Sequence, residues 1–510
     1  DMWRAAAAVL VAGVPGAGAV PQAELLRAAH SSRVAGLPRV EAAALRVVRG
    51  LRAARARHDG HRLADLVSAL RELLLTAGRL AAADPDPALA GVARRAYRPG
   101  ESLRVYGICR EPVISATGYG GVVTHLVAED GRWFSVADVR PGGPSRARGA
   151  GTAAVALGGA TLTHAGLARG GLLVSGTTIS PDGRLGAGRG VRATPLAGLP
   201  WSGGPLEALF THPVAEAADE RLSADPWGDP QDTGAAERPV GCDLMIVGAE
   251  GDRVLARELP RSGGTLPGAG PGDRGGSDPS TPGGGSGAPG GADGPETRAG
   301  GPLIRLVPAN PHPDLAHVAN LRQLASRPGM RVRVVGRLDP ERAATLRPLA
   351  VGPVPGPGPT LRLPAGWLGR ADLGYDRLQG SHLPPSDECV PWTETRAEAD
   401  ADPVAGSPLW RVRRLVELAV SGGRRAVAES GRGGDSPARR AHLRRAGFET
   451  AAALVAVVTE EADRRTRDVF GRLVDSDADR YARAWLAAAV HLTATERALV
   501  RASWRDTGTR

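Results

Sequence analysis

The densest cationic group in this 510-residue sequence is the set Arg439, Arg440, Arg444 and Arg445. A guanidinium keeps its charge at any working pH and presents a planar fork of donors that suits phosphate and carboxylate alike. Ser436 as a cap and Pro437 in the first turn mark a helix start at this point. The four-residue step then places Arg440 and Arg444 on one helix face. These four arginines are the chain's candidate nucleic-acid-binding residues. The competing reading is a solvated helix face, on which charges are screened and contribute little to folding.

The remaining reactive residue types do not assemble into a motif, so no catalytic residue, metal ligand or cofactor site is assigned. Gly13–Gly18 has the outline of a phosphate-cradling loop, but the Lys-Ser/Thr that such a loop needs is missing, and the sequence contains no lysine. Gly186–Gly190 reads as a hairpin loop between strands. His58 with His61, and His312 with His317, lack the one-turn spacing of a zinc-protease helix and have no C-x-x-C nearby, so all four read as solvated loop histidines. Cys109, in an apolar β stretch, reads as a buried structural thiol. Cys389 lies among Asp387, Glu388 and Glu394, which disfavour its thiolate. No nucleophile-elbow G-x-S-x-G occurs.

The charge distribution qualifies the net charge of +10. Residues 1–100 carry 15 Arg against 8 acids and 406–510 carry 20 against 13, whereas 101–405 carry 29 against 33. The basic excess therefore sits in the two terminal regions, both of which read as helical. With every basic residue an arginine and Asn found only at Asn310 and Asn320, codon usage in a GC-rich genome accounts for much of the arginine. Three distant cysteines make no disulfide framework and fit a reducing, cytoplasmic setting. No apolar run is long enough to span a membrane. Arg4 followed by Ala5–Ala19 keeps open a signal-like segment and hence secretion, against which stand a single positive charge and the internal Pro15.

Periodicity supplies the elements that would position these residues. Leu63, Leu66, Val67, Leu70, Leu73, Leu74 and Leu80 recur at helical steps, and Asp84–Pro87 stops that helix. From 102 onward β-formers take over in segments 102–109, 121–128 and 132–139, with Asp130-Gly131 as a hairpin turn. Thr163 caps a short helix over His164–Arg169. Strand-like runs at 243–247, 254–258 and 303–307 flank a linker over 262–302, in which 16 of 41 residues are Gly and 7 are Pro; such a segment is predicted to be disordered. A helix over 314–326, a strand over 330–338 and helices over 409–419, 451–474 and 477–504 complete the reading. The fold class is α+β and multi-domain. It comprises a helical region over 1–98, a β-rich domain over 99–261, the linker or insertion over 262–302, a small β/α region over 303–390 continuous with the β-rich domain in one reading, and a helical bundle over 391–510.

The segments Arg104–Val113, Gly118–Leu126, Trp133–Val139, Leu162–Arg169, Ser180–Gly186 and Leu373–Gln379 resemble large uncharacterised proteins of high-GC bacteria associated with SWIM-type zinc fingers. The resemblance implies a cytoplasmic setting and a binding role. The C-x-C…C-x-H finger itself is absent, so neither zinc nor DNA binding passes to any residue here. The leading expectation is a non-catalytic interaction or scaffold protein with a protein partner. The alternatives are a nucleic-acid-binding accessory protein using its Arg-rich helices, and an enzyme whose site is assembled from distant residues.

Overall fold

The computed structural model describes residues 1–91, 98–99, 102–115, 117–188, 190–223, 238–260, 302–391, 402–433, 436–464, 466–467, 469–470, 473–474 and 477–505. The expected disorder of 262–302 falls almost wholly outside the described residues. The α+β architecture is as the periodicity predicts: helices at both ends and strands between.

Four helices open the chain: α1 (Met2–Gly16), α2 (Ala19–Val34), α3 (Pro38–Arg55) and α4 (Leu63–Ala81). In the middle lie strands β1 (Leu103–Ile114), β2 (Tyr119–Ala128) and β3 (Trp133–Pro141), helices α5 (Gly143–Ala150) and α6 (His164–Arg169), and strands β4 (Gly171–Ser175) and β5 (Arg192–Leu196). After α7 (Val214–Ser223) come β6 (Val240–Glu250), β7 (Arg253–Glu258), β8 (Leu303–Leu306), α8 (His317–Ala325), β9 (Arg331–Leu338), β10 (Thr345–Gly352) and β11 (Ala371–Asp372). Four helices close it: α9 (Trp410–Arg432), α10 (Ser436–Arg445), α11 (Glu449–Asp463) and α12 (Ala478–Ala502). The single helix expected over 451–474 is corrected: α11 stops at Asp463, and Thr466–Arg467 pairs with Leu473–Val474 as two short strands. The Ala/Val periodicity that sustains the helix runs out at Ala462, leaving a charged stretch with no apolar face to bury.

The terminal helices share one apolar core, with Leu10, Leu25, Val47 and Leu73 from the first four and Val427, Ala451, Trp485 and Ala489 from the last four. The two quartets are built alike. The α2–α3 corner Ala35-Gly36-Leu37 and the α10–α11 corner Ala446-Gly447-Phe448 each put a glycine at positive φ, +73° and +83°. In both, the following residue donates to the carbonyl five positions back: Leu37 to Ser32 at 2.9 Å and Phe448 to Leu443 at 2.9 Å. That is the helix-ending bond of a Schellman corner. Both first helices are also kinked at a glycine, Gly13 (φ +63°, ψ 176°) in α1 and Gly423 (φ +75°, ψ −176°) in α9. The two kinks meet, backbone against backbone. A Cβ on Gly423 would come within 2.6 Å of the Val11 carbonyl oxygen, and a Cβ on Gly13 would strike the Gly423 amide nitrogen.

The β region repeats itself too. In the first sheet the order is β3-β2-β1-β4-β5, and in the second β8-β7-β6-β9-β10 with β11 added. Read in chain order, both are third-second-first-fourth-fifth, and both place helix between the third and fourth strands. The second sheet closes through a parallel β8–β10 pairing, Arg305 to Thr345 and Leu306 to Leu346. The result is a five-stranded Greek-key barrel with OB-type connectivity. Strands β7 and β8, on either side of residues 261–301, are direct antiparallel neighbours. Val500 and Trp504, at the end of α12, enter the core of this barrel and tie it to the helices.

Candidate binding cleft

Helix α9 packs along α1 and α11, whereas α10 leans chiefly on α11. Between α9 and α10 this leaves an open cleft of about 840 Å³. Its floor is apolar, from Leu63 at the start of α4 and from Leu415 and Leu418 of α9. Arg411 and Arg414 rise from α9, and Arg439, His442 and Arg445 from α10. One acid, Glu417, lies among them.

The arginines differ in how far they are held. Arg439 crosses to α9, donating through Nη1 to the Ser430 hydroxyl (3.3 Å) and through Nη2 to the Ser430 carbonyl (3.2 Å). Arg411 lies over the ring of Trp410 at 4.5 Å. Trp410 itself is 48% exposed at the mouth. Arg414 and Arg445 have neither an ion-pair nor a hydrogen-bond partner among the described residues. Two uncommitted guanidiniums above an apolar floor can take an anionic group by paired charge-assisted hydrogen bonds.

Of the four arginines singled out in the sequence, the structure brings Arg439 and Arg445 to the cleft and leaves Arg440 and Arg444 outside its lining. The two pairs lie on different faces of the helix: the lining positions of α10 are Ala438, Arg439, His442 and Arg445. Sequence reading missed Arg411, Arg414 and Trp410. Their signal was available, since they fall off the apolar stripe Leu409–Val412–Leu415–Val416, but not which neighbour would leave that face open.

A cluster of strongly perturbed titratable groups lies elsewhere, where the two sheets meet. Arg110 of β1 donates through Nε to Asp372 (2.8 Å) and through Nη2 to Asp376 (3.0 Å), and Arg169 donates to Asp376 at 2.7 Å. Arg370 donates to the carbonyls of Gly107, Ala168 (3.0 Å) and Leu199. Burial pushes the Arg370 guanidinium down to about 10. Burial alone would raise the Glu111 carboxyl, but Arg337 and His125 outweigh it and hold it at about 2. Burial, and then the neighbouring Asp376, push Asp372 upward against Arg110. Cys109 is likewise driven well up by burial and by Asp372 and Glu111, which keeps it a thiol. Asp372 is 0%, Arg110 4% and Glu111 7% exposed, so this cluster is sealed and mutually paired.

One histidine departs from its sequence reading. His317 is no solvated loop residue: it opens α8, is 2% exposed, and neither ring nitrogen has a hydrogen-bond partner. Gly374, next to β11, lies so close to its ring that a Cβ there would come within 2.8 Å of the His317 Cε1. Burial depresses its pKa to about 4, with Glu111 partly opposing. Cys109, Cys242 and Cys389 are all buried and unlinked. Among the described residues no group of three or more His, Cys, Asp or Glu is placed to hold a metal ion, and no helix is long and apolar enough to cross a membrane. Comparison with known proteins supplies no relative: no family model, no curated protein and no solved structure matches this chain.

Proposed function

We propose that the chain is a non-catalytic interaction protein that holds an acidic segment of a protein partner in the cleft between α9 and α10. The observation that carries this reading is the pair Arg414 and Arg445, on separate helices, unpaired, and above the apolar floor of Leu63, Leu415 and Leu418. Acidic side chains meet the guanidiniums while apolar ones cover the floor and Trp410, a division that a peptide satisfies. A phosphodiester backbone matches only the charge. The nucleic-acid reading is the weaker one because Arg440 and Arg444 do not line the cleft with Arg439 and Arg445. The enzyme reading has less still behind it, since the perturbed acids and the Cys109 thiol are buried between the two sheets.

The probe is a fluorescently labelled peptide of alternating Glu and Leu, titrated at physiological salt with Trp410 emission as a second readout. Arg414→Glu with Arg445→Glu should weaken binding by about 30–100-fold, one to two charge-assisted contacts' worth. Unchanged affinity in that variant, or tighter binding of a single-stranded oligonucleotide than of the peptide, would overturn the reading.

A further inference from the structure

The two matching quartets differ most in their second helix. Their Schellman corners set α2 and α10 in register, so that Leu37 corresponds to Phe448 and each residue of α2 to one 411 further on in α10. Helix α2 packs against α1 as well as α3, whereas α10 packs on α11 and makes little contact with α9. Over the matching stretch α2 buries Leu25, Ala28, Ala29 and Ser32. Among the described side chains of α10 only Leu443 is buried. A helix of ten residues is marginal by itself in water, so its stability comes from what it packs on.

The residues that set α10 apart are cationic. Arg439 and Arg440 stand where α2 has the buried Ala28 and Ala29, and His442 and Arg445 where it has Ser31 and Val34. Arg439 is moored to Ser430 of α9, but Arg445, at the other end of α10, lines the cleft opposite Arg411 and Arg414. None of Arg411, Arg414 and Arg445 has an acid as partner among the described residues, and neither does Glu417 have a cation. Like charges repel more strongly as the walls that carry them approach. At the matching positions 28, 31 and 34, α2 carries no charge, and α2 lies against its neighbour.

We infer that α10 is the moving jaw of the cleft: it stands off α9 because of the facing cations, and closes onto α9, as α2 does onto α1, when an acidic segment is held between Arg414 and Arg445. This rests on the reading of the cleft as an acidic-peptide site. A bound carboxylate cancels the repulsion and reaches both helices only when they are close. It therefore binds the closed form more tightly than the open one, and that difference in affinity moves the equilibrium.

Distances between two spin labels on the full chain test this. Cys109, Cys242 and Cys389 are buried, so labels are confined to Arg425→Cys on α9 and Arg444→Cys on α10, neither of which lines the cleft. Saturation with the alternating Glu/Leu peptide should shift the distance distribution measured by double electron–electron resonance to shorter values. Salt at about 1 M, where the screening length is about 3 Å, should shift it the same way without peptide. His442→Ser with Arg445→Val, the residues found in α2, should close the cleft unaided and leave the peptide no shift to cause. The melting temperature is the folding control, and Arg445→Val alone serves if the double variant unfolds. Peptide binding, followed by fluorescence anisotropy, with an unchanged distribution overturns the moving jaw and leaves the peptide site standing. A chain that binds no peptide overturns both. A charge-removed variant that stays as open as the wild type overturns the inference as well, since charge would then not be what holds α10 off.

Discussion

The molecule joins like to like twice, by opposite means. The helical quartets meet where two kinked glycines press backbone against backbone, within a shared apolar core. The two sheet units meet across buried ion pairs: Arg110 and Arg169 of the first with Asp372 and Asp376 of the second, and Glu111 and His125 of the first with Arg337 of the second. The first joint depends on shape. Close packing gives it stability, and the glycine contact itself holds no group whose charge can change. The second depends on pairing. Each of its charges is costly to bury and is tolerated only while its partner is present. The comparison predicts that the glycine joint fails by steric insertion and ignores pH, whereas the ionic joint fails by loss of one partner or of one charge state.

The largest effect is expected at the glycine joint. Gly423→Ala puts a methyl group within 2.6 Å of the Val11 carbonyl, in a backbone conformation open almost only to glycine. The two helices must separate, at a cost of at least about 5 kcal/mol. Thermal denaturation by circular dichroism should show the helical transition lost or displaced by tens of degrees. A stable Gly423→Ala protein would show that the crossing is looser than drawn.

A smaller loss is expected from Asp376→Ala. It strips Arg169 of its carboxylate and Arg110 of one of two, and leaves the Asp372 amide without the acceptor it now has at 2.7 Å. Breaking a buried pair from one side costs about 3–5 kcal/mol. Hydrogen exchange should show the amides of β1 and β11 opening while those of α1 and α9 keep their protection. Equal loss in both regions would mean that the two joints form one cooperative unit.

The smallest effect concerns pH. His317 titrates at about 4 in the fold and near its ordinary 6.5 in the unfolded chain. Between those values the unfolded chain binds a proton that the folded one refuses. Stability is therefore complete above about pH 6.5 and falls as the pH drops towards 4, by at most about 3 kcal/mol. Glu111, held at about 2, adds a further loss below the ordinary carboxyl range. Denaturant midpoints measured at pH 7 and pH 4.5 should differ in the native chain and differ less in His317→Leu. An equal difference in both would remove His317 from the account.

Helices, strands and their turns were legible because their signals are local. The Leu63–Leu80 stripe, the Asp130-Gly131 hairpin and the Thr163 cap each act within a few residues, and the chain carries them out wherever it is. The cleft was half legible. Arg439 and Arg445 stood out by density, but Arg411 and Arg414 looked like any solvated arginine until α10 was seen to lean away from α9. His317 was misread because its burial comes from tertiary neighbours such as Gly374, 57 positions away in the sequence.

By itself, then, the sequence determined the kinds of element, their approximate limits, and where its charge accumulates, since propensity, period and composition are properties of neighbouring residues. Only the tertiary structure decided that the two ends of the chain share one core and that Gly13 and Gly423 are partners. It also decided that both sheets have one strand order, and which arginines face a cleft and which face an acid. Those outcomes turn on contacts between residues hundreds of positions apart, such as Arg110 with Asp372 and Val11 with Gly423. A pairing of that kind leaves no periodic trace in a single chain, because either partner alone is chemically ordinary.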